Sequence, residues 1–401
     1  MRERGAVAHR PLARRTRWLA VVAAGALLVT GCTSPILAND PIVFPSPPAP
    51  SAAPSHAPDP IPISLPRDDG PHDRLTEWWY YTGHLHTQAG RRFGFEAVVF
   101  RAERGSVPVA WAAHLALTDE QAGAFHYAQR SEIGPAVDHS PRDASGMPTG
   151  FDLQVSGLSP TLIAAGAPPL AAAPWRLAGG NGTDHIDAAL APQEATASGA
   201  AFGLQLDLQA MEPPAFHDGD GFVDFGPAGS SYYYSRTRLA AKGTLELDGQ
   251  QLTVDGIAWF DHQWGDFVSV GAGGWDWIAI NLDDGTDITA SAVFDAARTV
   301  VIQYGTLVSA TGEVHHLNGD QIAAGEGRSY LSPSTGRVYP SFWQVLVDDY
   351  EINLTPTVVD QELDTRATTG VIYWEGSENV QATKGGAPVG GEAYVEITRY
   401  R

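Results

Sequence analysis

The feature that most constrains this chain is a long succession of short β-prone segments separated by turns, with almost no helical periodicity. Glu77–His86 reads EWWYYTGHLH, a turn follows at Gly90, and Phe93–Arg101 reads FGFEAVVFR, which is the pattern of a β-hairpin. The 43 glycines and 29 prolines provide turns throughout the 401 residues. The pattern predicts an all-β protein of antiparallel barrels or sandwiches, which can hold one apolar ligand. The Ala/Gly/Pro-rich run Ala164–Gly182 is expected to be a loop. Further predicted strands are Trp111–Thr118, Phe151–Val155, Phe202–Leu208, Tyr232–Leu239, Gly243–Leu247, Leu252–Phe260, Trp275–Asn281, Asp287–Phe294, Val300–Val308, Phe342–Val347, Tyr350–Leu354, Val371–Glu375 and Ala393–Tyr400.

Residues 1–32 have the organisation of an export signal. Six arginines precede an apolar run, Trp18–Val29, that is too short to span a bilayer as a helix. The run leads into Thr30-Gly31-Cys32, which resembles a bacterial lipoprotein box and contains the only cysteine of the chain. We expect cleavage before Cys32 and lipidation of this residue, which would anchor the protein in the cell envelope on its periplasmic or extracytoplasmic face. The alternative is an ordinary secretory signal with a chance cysteine.

Residues 33–70 form a predicted linker, because 11 prolines fall between Thr33 and Pro66 and such a composition favours an extended tether without a packed core. The formal net charge of the whole chain is −21, and it becomes −26 without residues 1–32, which hold six arginines and one glutamate. An acidic body repels phosphate backbones and anionic lipid headgroups. We therefore expect no nucleic-acid partner, and we expect membrane attachment to come from lipid on Cys32.

The segment with the highest density of candidate catalytic residues is Ala258–Phe267, which reads AWFDHQWGDF. In a strand, Trp259, Asp261 and Gln263 share one face, and Phe260, His262 and Trp264 share the other. A carboxyl group beside an indole has its pKa raised by desolvation, which makes Asp261 a candidate proton donor. The alternative is a satisfied polar pair that stabilises a core strand.

Two further sets of polar residues have a catalytic or metal-binding interpretation. Glu77 alternates with aromatic residues and is a candidate second acid, whereas the structural interpretation pairs it with Arg101 or Arg236. Glu375 beside Trp374 is in a similar setting. His84, His86 and His114 have the ligand types of a zinc site, but nothing else in the sequence supports a metal, and we predict none.

Several motifs together resemble a known family. They are Glu77–Tyr81 with Gly83-His84-Leu85, His114 with Leu117-Thr118-Asp119, Tyr232–Arg236, Ala258–Gly265, Tyr339-Pro340 with Trp343, and Tyr373–Gly376 with Gly391–Tyr400. In this order they resemble the AttH-like family, which is grouped with the bacterial carotenoid 1,2-hydratases (hydroxyneurosporene synthases) and more distantly with fungal lipocalin-like Diels–Alderases. The resemblance extends over roughly residues 71–401.

The resemblance implies two tandem lipocalin-like antiparallel β-barrel domains, residues 71–268 and 269–401, with an apolar ligand site. It implies hydration of a carbon–carbon double bond of an acyclic carotenoid or another isoprenoid, without a cofactor. It also implies that Asp261 and His262 are the catalytic residues of this reaction. The motif WFDHQWG is closer to the AttH-like branch than to the hydratases proper. The predicted export of this chain is a second difference, because a carotenoid hydratase is expected beside biosynthetic enzymes at the inner membrane. The candidate substrate-binding residues are Trp79, Tyr81, Tyr233, Trp259, Trp264, Trp277 and Tyr373, and the candidate catalytic residues are Asp261, His262 and Glu77.

Hydration of an unactivated alkene requires a dry, strong acid and a shielded cation, which aromatic faces can stabilise. In this interpretation Asp261 protonates carbon, and His262 orients the acid or takes the proton from water. A second interpretation is a non-catalytic envelope lipoprotein that binds a lipid or another apolar compound. A third is a structural envelope protein whose barrel interiors are filled by side chains. Cavity volume separates the third from the first two.

Overall fold

The computed structural model describes residues 37–38, 61–168, 173–225, 229–266 and 272–398. Strands make up 62% of these residues and helices 6%, which confirms the all-β prediction. No helix in the described ranges has the length and apolar character required to cross a membrane. The predicted signal, its lipidation site Cys32 and residues 39–60 of the predicted linker lie outside the described residues.

Turns, loops and a few short helices connect the strands. The first group comprises β1 (Leu37–Ala38), β2 (Thr76–Thr87), β3 (Arg92–Arg104), β4 (Val107–Asp119), β5 (Ala124–Ile133), β6 (Phe151–Val155), β7 (Trp175–Gly180), β8 (Thr183–Ala189), β9 (Phe202–Ala210), β10 (Ala215–Phe216), β11 (Phe222–Asp224), β12 (Ser230–Leu247) and β13 (Gln250–Gly265). The second group comprises β14 (Ala272–Leu282), β15 (Asp287–Asp295), β16 (Val300–Val308), β17 (Val314–Asn318), β18 (Ile322–Glu326), β19 (Ser329–Leu331), β20 (Val338–Pro340), β21 (Trp343–Val347), β22 (Tyr350–Pro356), β23 (Glu362–Asp364), β24 (Ile372–Lys384), β25 (Ala387–Val389) and β26 (Gly391–Ile397). The helical turns are Arg67–Asp69, Pro135–Val137, α1 (Pro160–Ala164), α2 (Pro192–Ser198) and His217–Gly219.

The first sheet has twelve strands in the order β5-β4-β3-β2-β13-β12-β9-β8-β7-β6, with β10 and β11 paired to β12. It curls until its edges approach each other, because Arg130 of β5 forms a β-bridge with Leu158, just after β6. The result is a nearly closed antiparallel barrel. Its interior is filled by one apolar cluster that includes Trp79, Phe95 and Phe260.

The second sheet has eleven strands in the order β17-β16-β15-β14-β26-β24-β22-β21-β18, with β23 and β25 paired to β24. A separate apolar cluster that includes Ile280, Trp343 and Trp374 fills its inner face. The change from the first sheet to the second falls between Gly265 and Ala272, so the predicted domain boundary at 268/269 lies outside the described residues. It stays a prediction.

The outward faces of the two sheets pack against each other. Tyr80, Val98 and Trp259 of the first sheet join Trp277 and Tyr394 of the second in one buried cluster. Because strand side chains alternate, each of these strands contributes one set of residues to a barrel interior and the other set to this junction.

Gly94 of β3 marks the closest approach of the two sheets at this junction. A Cβ atom at this position would lie 2.6 Å from Cβ of Ser377 and 2.9 Å from the hydroxyl of Tyr394, so only glycine fits without a shift.

The expectation of a loop over Ala164–Gly182 is wrong for its second half. Residues Trp175–Gly180 form β7, and the side chains of Trp175 and Leu177 are buried in the interior of the first barrel. The alternation of large and small residues there suits a strand that is buried on one side only.

Candidate active site

Strand β13 presents its two faces to two different environments. Trp259, Asp261 and Gln263 face the junction between the sheets, whereas Phe260 and His262 face the interior of the first barrel. Both sets are buried, because the strand lies between β2 and β12 and is covered on both sides. The alternation predicted from the sequence is therefore present, and Asp261 and His262 lie on opposite sides of the sheet.

A cavity lies at the junction between the two sheets, and we call it the cleft. Its cavity volume is about 90 Å³, well below the ~300–1,000 Å³ of typical small-molecule sites, so a ligand of isoprenoid size requires the lining side chains to move. Its described lining has nine aromatic residues and four carboxyl groups, and it contains no lysine or arginine. These residues are Trp78, Tyr80, Glu96, Phe100, Phe225, Tyr233, Asp261, Gln263, Trp275, Asp276, Trp277, Ser291, Val293, Tyr304, Tyr373 and Glu396.

Three hydrogen-bond donors converge on the Asp261 carboxylate. The hydroxyl of Tyr233 donates to Oδ2 at 2.6 Å, the indole of Trp259 donates to Oδ1 at 2.7 Å, and the hydroxyl of Ser235 also donates to Oδ1. Burial raises the pKa of Asp261 to about 6, although all three donors favour the charged form. At neutral pH the group is mainly a carboxylate that is held in one orientation.

Glu96 of β3 lies on the same wall of the cleft and has a different environment. Its Oε1 accepts a hydrogen bond from the hydroxyl of Tyr373 at 2.8 Å, and its Oε2 is buried without a hydrogen-bond partner in the described part of the chain. Burial raises the pKa of Glu96 to about 8, and the nearby Glu396 contributes in the same direction. Glu96 is therefore mainly a neutral carboxylic acid at pH 7.

Two more glutamates extend this group of acids, of which Glu375 is fully buried and Glu396 is partly buried. Glu396 of β26 lines the cleft, and burial raises its pKa to about 8, while the Trp275 indole opposes the shift. Glu375 of β24 accepts a hydrogen bond from the hydroxyl of Tyr80 at 2.7 Å, and burial together with Glu96 raises its pKa well above the ordinary range. The cleft thus combines neutral acids with the carboxylate of Asp261, and such a separation of pKa values is how one site supplies both an acid and a base.

Five of the candidate residues meet at the cleft. Asp261, Tyr233, Trp277 and Tyr373 line the cavity, and Trp259 lies behind Asp261 as its hydrogen-bond donor. The indole of Trp277 also donates to the hydroxyl of Tyr233 at 3.2 Å, so Asp261, Tyr233, Trp259 and Trp277 form one hydrogen-bonded network, whereas Tyr373 bonds Glu96.

The other five candidates lie on the opposite face, in the interior of the first barrel. Trp79, Tyr81 and Trp264 belong to the apolar cluster there and do not line the cleft, because they alternate with the residues that do. His262 and Glu77 face the same interior, so His262 does not contact Asp261 and the expectation that it orients the acid is wrong.

Glu77 forms none of the arginine pairs considered from the sequence. Its Oε1 lies 2.7 Å from Nδ1 of His72 and 3.0 Å from Nε2 of His262. Arg101 instead pairs with Asp73 and Glu103, and Arg236 pairs with Asp69.

The three histidines considered for zinc lie apart. His84 and His86 face Glu392, with the Nε2 atom of His86 2.7 Å from Oε1 of that residue. Nδ1 of His114 lies 2.7 Å from the hydroxyl of Tyr373. His84 and His86 therefore share Glu392 as a partner, whereas His114 contacts Tyr373, and the three histidines do not converge on one site.

Sequence reasoning missed Glu96, Glu396 and His217. Glu96 interrupts an otherwise apolar strand, FGFEAVVFR, and a charge at the centre of such a strand is the signal that could have identified it. Glu396 has no comparable signal. His217 lies in a helical turn, and its Nε2 atom is 2.7 Å from Oγ of Ser235, behind Asp261.

Comparisons with known proteins agree with this architecture. The model of the AttH-like family matches residues 56–400. The solved structure of a candidate AttH from Nitrosomonas europaea is 29% identical, covers 89% of this chain and 100% of its own, and superposes with a TM-score of 0.69. Kievitone hydratase from Nectria haematococca shares the fold at 16% identity, covering 88% of this chain and 96% of its own with a TM-score of 0.61. No curated protein matches the sequence significantly. Since the family match extends over both sheets and the whole cleft, the chain belongs to the AttH-like family.

Proposed function

We propose that the protein is a hydratase that adds water to a carbon–carbon double bond of an apolar substrate bound in the cleft. The observation that carries this proposal is the combination of neutral glutamates, a fixed carboxylate and aromatic walls in one cavity whose described lining has no lysine or arginine. A lining of this kind excludes anionic substrates and suits an uncharged, apolar one.

Glu96 is the proposed proton donor. Its unpartnered Oε2 is free to carry the proton, and its raised pKa keeps that proton in place at pH 7. Transfer of the proton to one alkene carbon leaves a carbocation at the other carbon and a carboxylate on Glu96. The rings of Trp78, Trp275 and Trp277 line the same cavity, and aromatic faces stabilise a cation through their quadrupole.

Asp261 is the proposed base for the attacking water. As a carboxylate at neutral pH it accepts a proton from water while the water oxygen bonds to the carbocation. Protonation of carbon and addition of hydroxide sum to the addition of one water molecule. Asp261 releases this proton to solvent and Glu96 takes up a proton from solvent, which restores the resting state without a cofactor.

The family supports a hydration of this kind, because kievitone hydratase, whose name states a hydration, has the same fold. For the substrate we propose an acyclic carotenoid or another isoprenoid, on the resemblance to the carotenoid hydratases. We further propose that the protein is exported and anchored through lipid on Cys32, as residues 18–32 suggest. Mass spectrometry of the protein from its native host should find a diacylglyceryl-modified Cys32, and an unmodified Met1 terminus would contradict the anchor.

The test for activity first identifies the molecule that is bound to the protein. Apolar molecules extracted from the purified full chain are identified, and the corresponding alkenes are incubated with the protein in ¹⁸O-labelled water. We expect an alcohol that carries one ¹⁸O atom, with Asp261→Asn and Glu96→Gln each binding the alkene but forming no alcohol. Turnover equal to that of the unmodified chain in both variants would contradict the proposal.

A non-catalytic lipid-binding protein is the second candidate, and one observation favours it. All three donors of the Asp261 carboxylate are protein groups, as in a structural carboxylate. In that case the extracted ligand would be recovered unchanged after incubation, with no ¹⁸O incorporated.

A further inference from the structure

We propose that His72, Glu77 and His262 bind a divalent transition-metal ion of the zinc class, at a site separate from the cleft. The three side chains provide two imidazole nitrogens and one carboxylate oxygen, and these ligand atoms lie within 4.8 Å of one another. Two histidines and one carboxylate form a common three-ligand set for Zn²⁺ and Fe²⁺ sites that keep a position open for water.

The distances suit such a site with a small adjustment. Oε1 of Glu77 lies 2.7 Å from Nδ1 of His72 and 3.0 Å from Nε2 of His262. Ligand atoms about 2.0–2.1 Å from one zinc ion lie roughly 3.3 Å apart in a tetrahedral arrangement. An ion would therefore move Glu77 away from each of the two imidazole nitrogens by roughly half an ångström and replace the hydrogen bonds that Glu77 forms with them.

The surroundings hold both rings in a ligating orientation. Nε2 of His72 faces the carboxylate of Asp68 at 3.4 Å, and a carboxylate behind a metal-bound histidine fixes its tautomer and orientation. Nδ1 of His262 has no such carboxylate partner among the described residues, and its ring is packed between Trp79 and Trp264, with each centroid separation at 4.7 Å.

The site has an entrance from solvent. A surface pocket of about 450 Å³ is lined by Asp68, His72 and Trp264 among other residues. Glu77 and His262 are fully buried behind His72, whose ring stacks on Trp264 at 4.1 Å. An ion entering from this pocket would meet His72 first and keep an open coordination position on the pocket side.

The site is distinct from the proposed hydratase centre. His262 and Asp261 are neighbours on β13 but face opposite sides of the sheet, and the metal-binding side opens to a different surface pocket. Metal binding can therefore be measured without any substrate of the cleft.

The test is a titration of the untagged full chain, freed of metal with a chelator, with Co²⁺ and then with Zn²⁺. We expect one equivalent of Co²⁺ to bind with the visible absorption of a low-coordinate site, and Zn²⁺ to displace it. His72→Ala and Glu77→Gln should each weaken binding at least 10-fold, and Asp68→Asn should weaken it about 10-fold by removing the group behind His72. His185→Ala is the matched control, since it removes an exposed histidine–carboxylate pair elsewhere and should leave the affinity unchanged.

Circular dichroism verifies that each variant is folded, and Asp68→Asn leaves all three ligands in place should His72→Ala or Glu77→Gln fail to fold. The absence of saturable Co²⁺ and Zn²⁺ binding would overturn the proposal. The proposal would also be overturned if Asp68→Asn and every ligand variant that folds bound Co²⁺ and Zn²⁺ with the same affinity as the unmodified chain.

Discussion

Asp261 and His262 are adjacent in the chain, yet the carboxylate of one faces the cleft and the imidazole of the other faces the interior of the first barrel. One strand, β13, therefore supplies polar groups to two separate sites. The cleft holds the neutral acids and the fixed carboxylate, and the barrel interior holds the His72–Glu77–His262 cluster.

Replacement of Glu96 by glutamine should abolish turnover while leaving ligand binding intact. Glutamine keeps the shape of the side chain but has no acidic proton, and loss of a positioned proton donor lowers rates by about 10²–10⁴-fold. Steady-state rates and ligand titration of the same preparation measure the two effects separately.

Glu378→Gln is the matched control for this substitution. Glu378 is also fully buried, and burial raises its pKa well above the ordinary range, but it does not line the cleft. Its replacement should leave the rate within about twofold. Equal losses in both variants would show that any buried glutamate matters for folding and that Glu96 has no special role.

Tyr373→Phe should shift the alkaline limb of the pH–rate profile upward. The hydroxyl of Tyr373 donates to Glu96 and lowers the pKa of that carboxyl, so its removal lets burial raise the pKa above about 8. In the unmodified chain, activity should fall as pH rises through about 8, since the acid loses its proton there. An unchanged limb in the variant would contradict the assignment of that limb to Glu96.

The contribution of Glu96 and Glu396 to folding stability should decrease as pH rises from about 4.5 to 8. The folded-state pKa values of Glu96 and Glu396 are raised from 4.5 to about 8, so the folded chain holds more protons than the unfolded chain in this window. Their stabilising contribution is complete below about 4.5 and is lost as pH rises through 8. Thermal unfolding at pH 5 and pH 8 measures this loss as a difference in Tm, and the buried His114 and His217, whose pKa values are lowered to about 3, act in the opposite direction below about pH 6.5. The double variant Glu96→Gln/Glu396→Gln should show a smaller difference, and an equal one would contradict this origin.

Gly94→Ala should weaken both stability and ligand binding. The added methyl group would overlap Ser377 and Tyr394 of the second sheet, which forces the sheets apart at the junction that forms the cleft. Overpacking of this kind costs about 1–3 kcal/mol in the free energy of unfolding. Denaturant unfolding and ligand titration measure the two effects, and an unchanged affinity would show that the cleft does not depend on this close approach.

The strand pattern and the two faces of β13 could be predicted from the sequence, because alternation is a local property. Which face forms the cleft could not, since Trp259 and Trp264 give both faces the same aromatic character. The partners of the acids depend on strand order in the fold: Tyr373 reaches Glu96 across 277 positions, and Tyr80 reaches Glu375 across 295. The strand Trp175–Gly180 was missed because its small residues have the composition of a loop.

The cleft contains carboxylic acids that are neutral at physiological pH, and infrared spectroscopy of the full chain tests this property most directly. We predict a carboxylic-acid C=O band at pH 7 that weakens above pH 8 and is reduced in Glu96→Gln and in Glu396→Gln. A spectrum at pH 7 that is the same in the unmodified chain and in both variants would contradict the account.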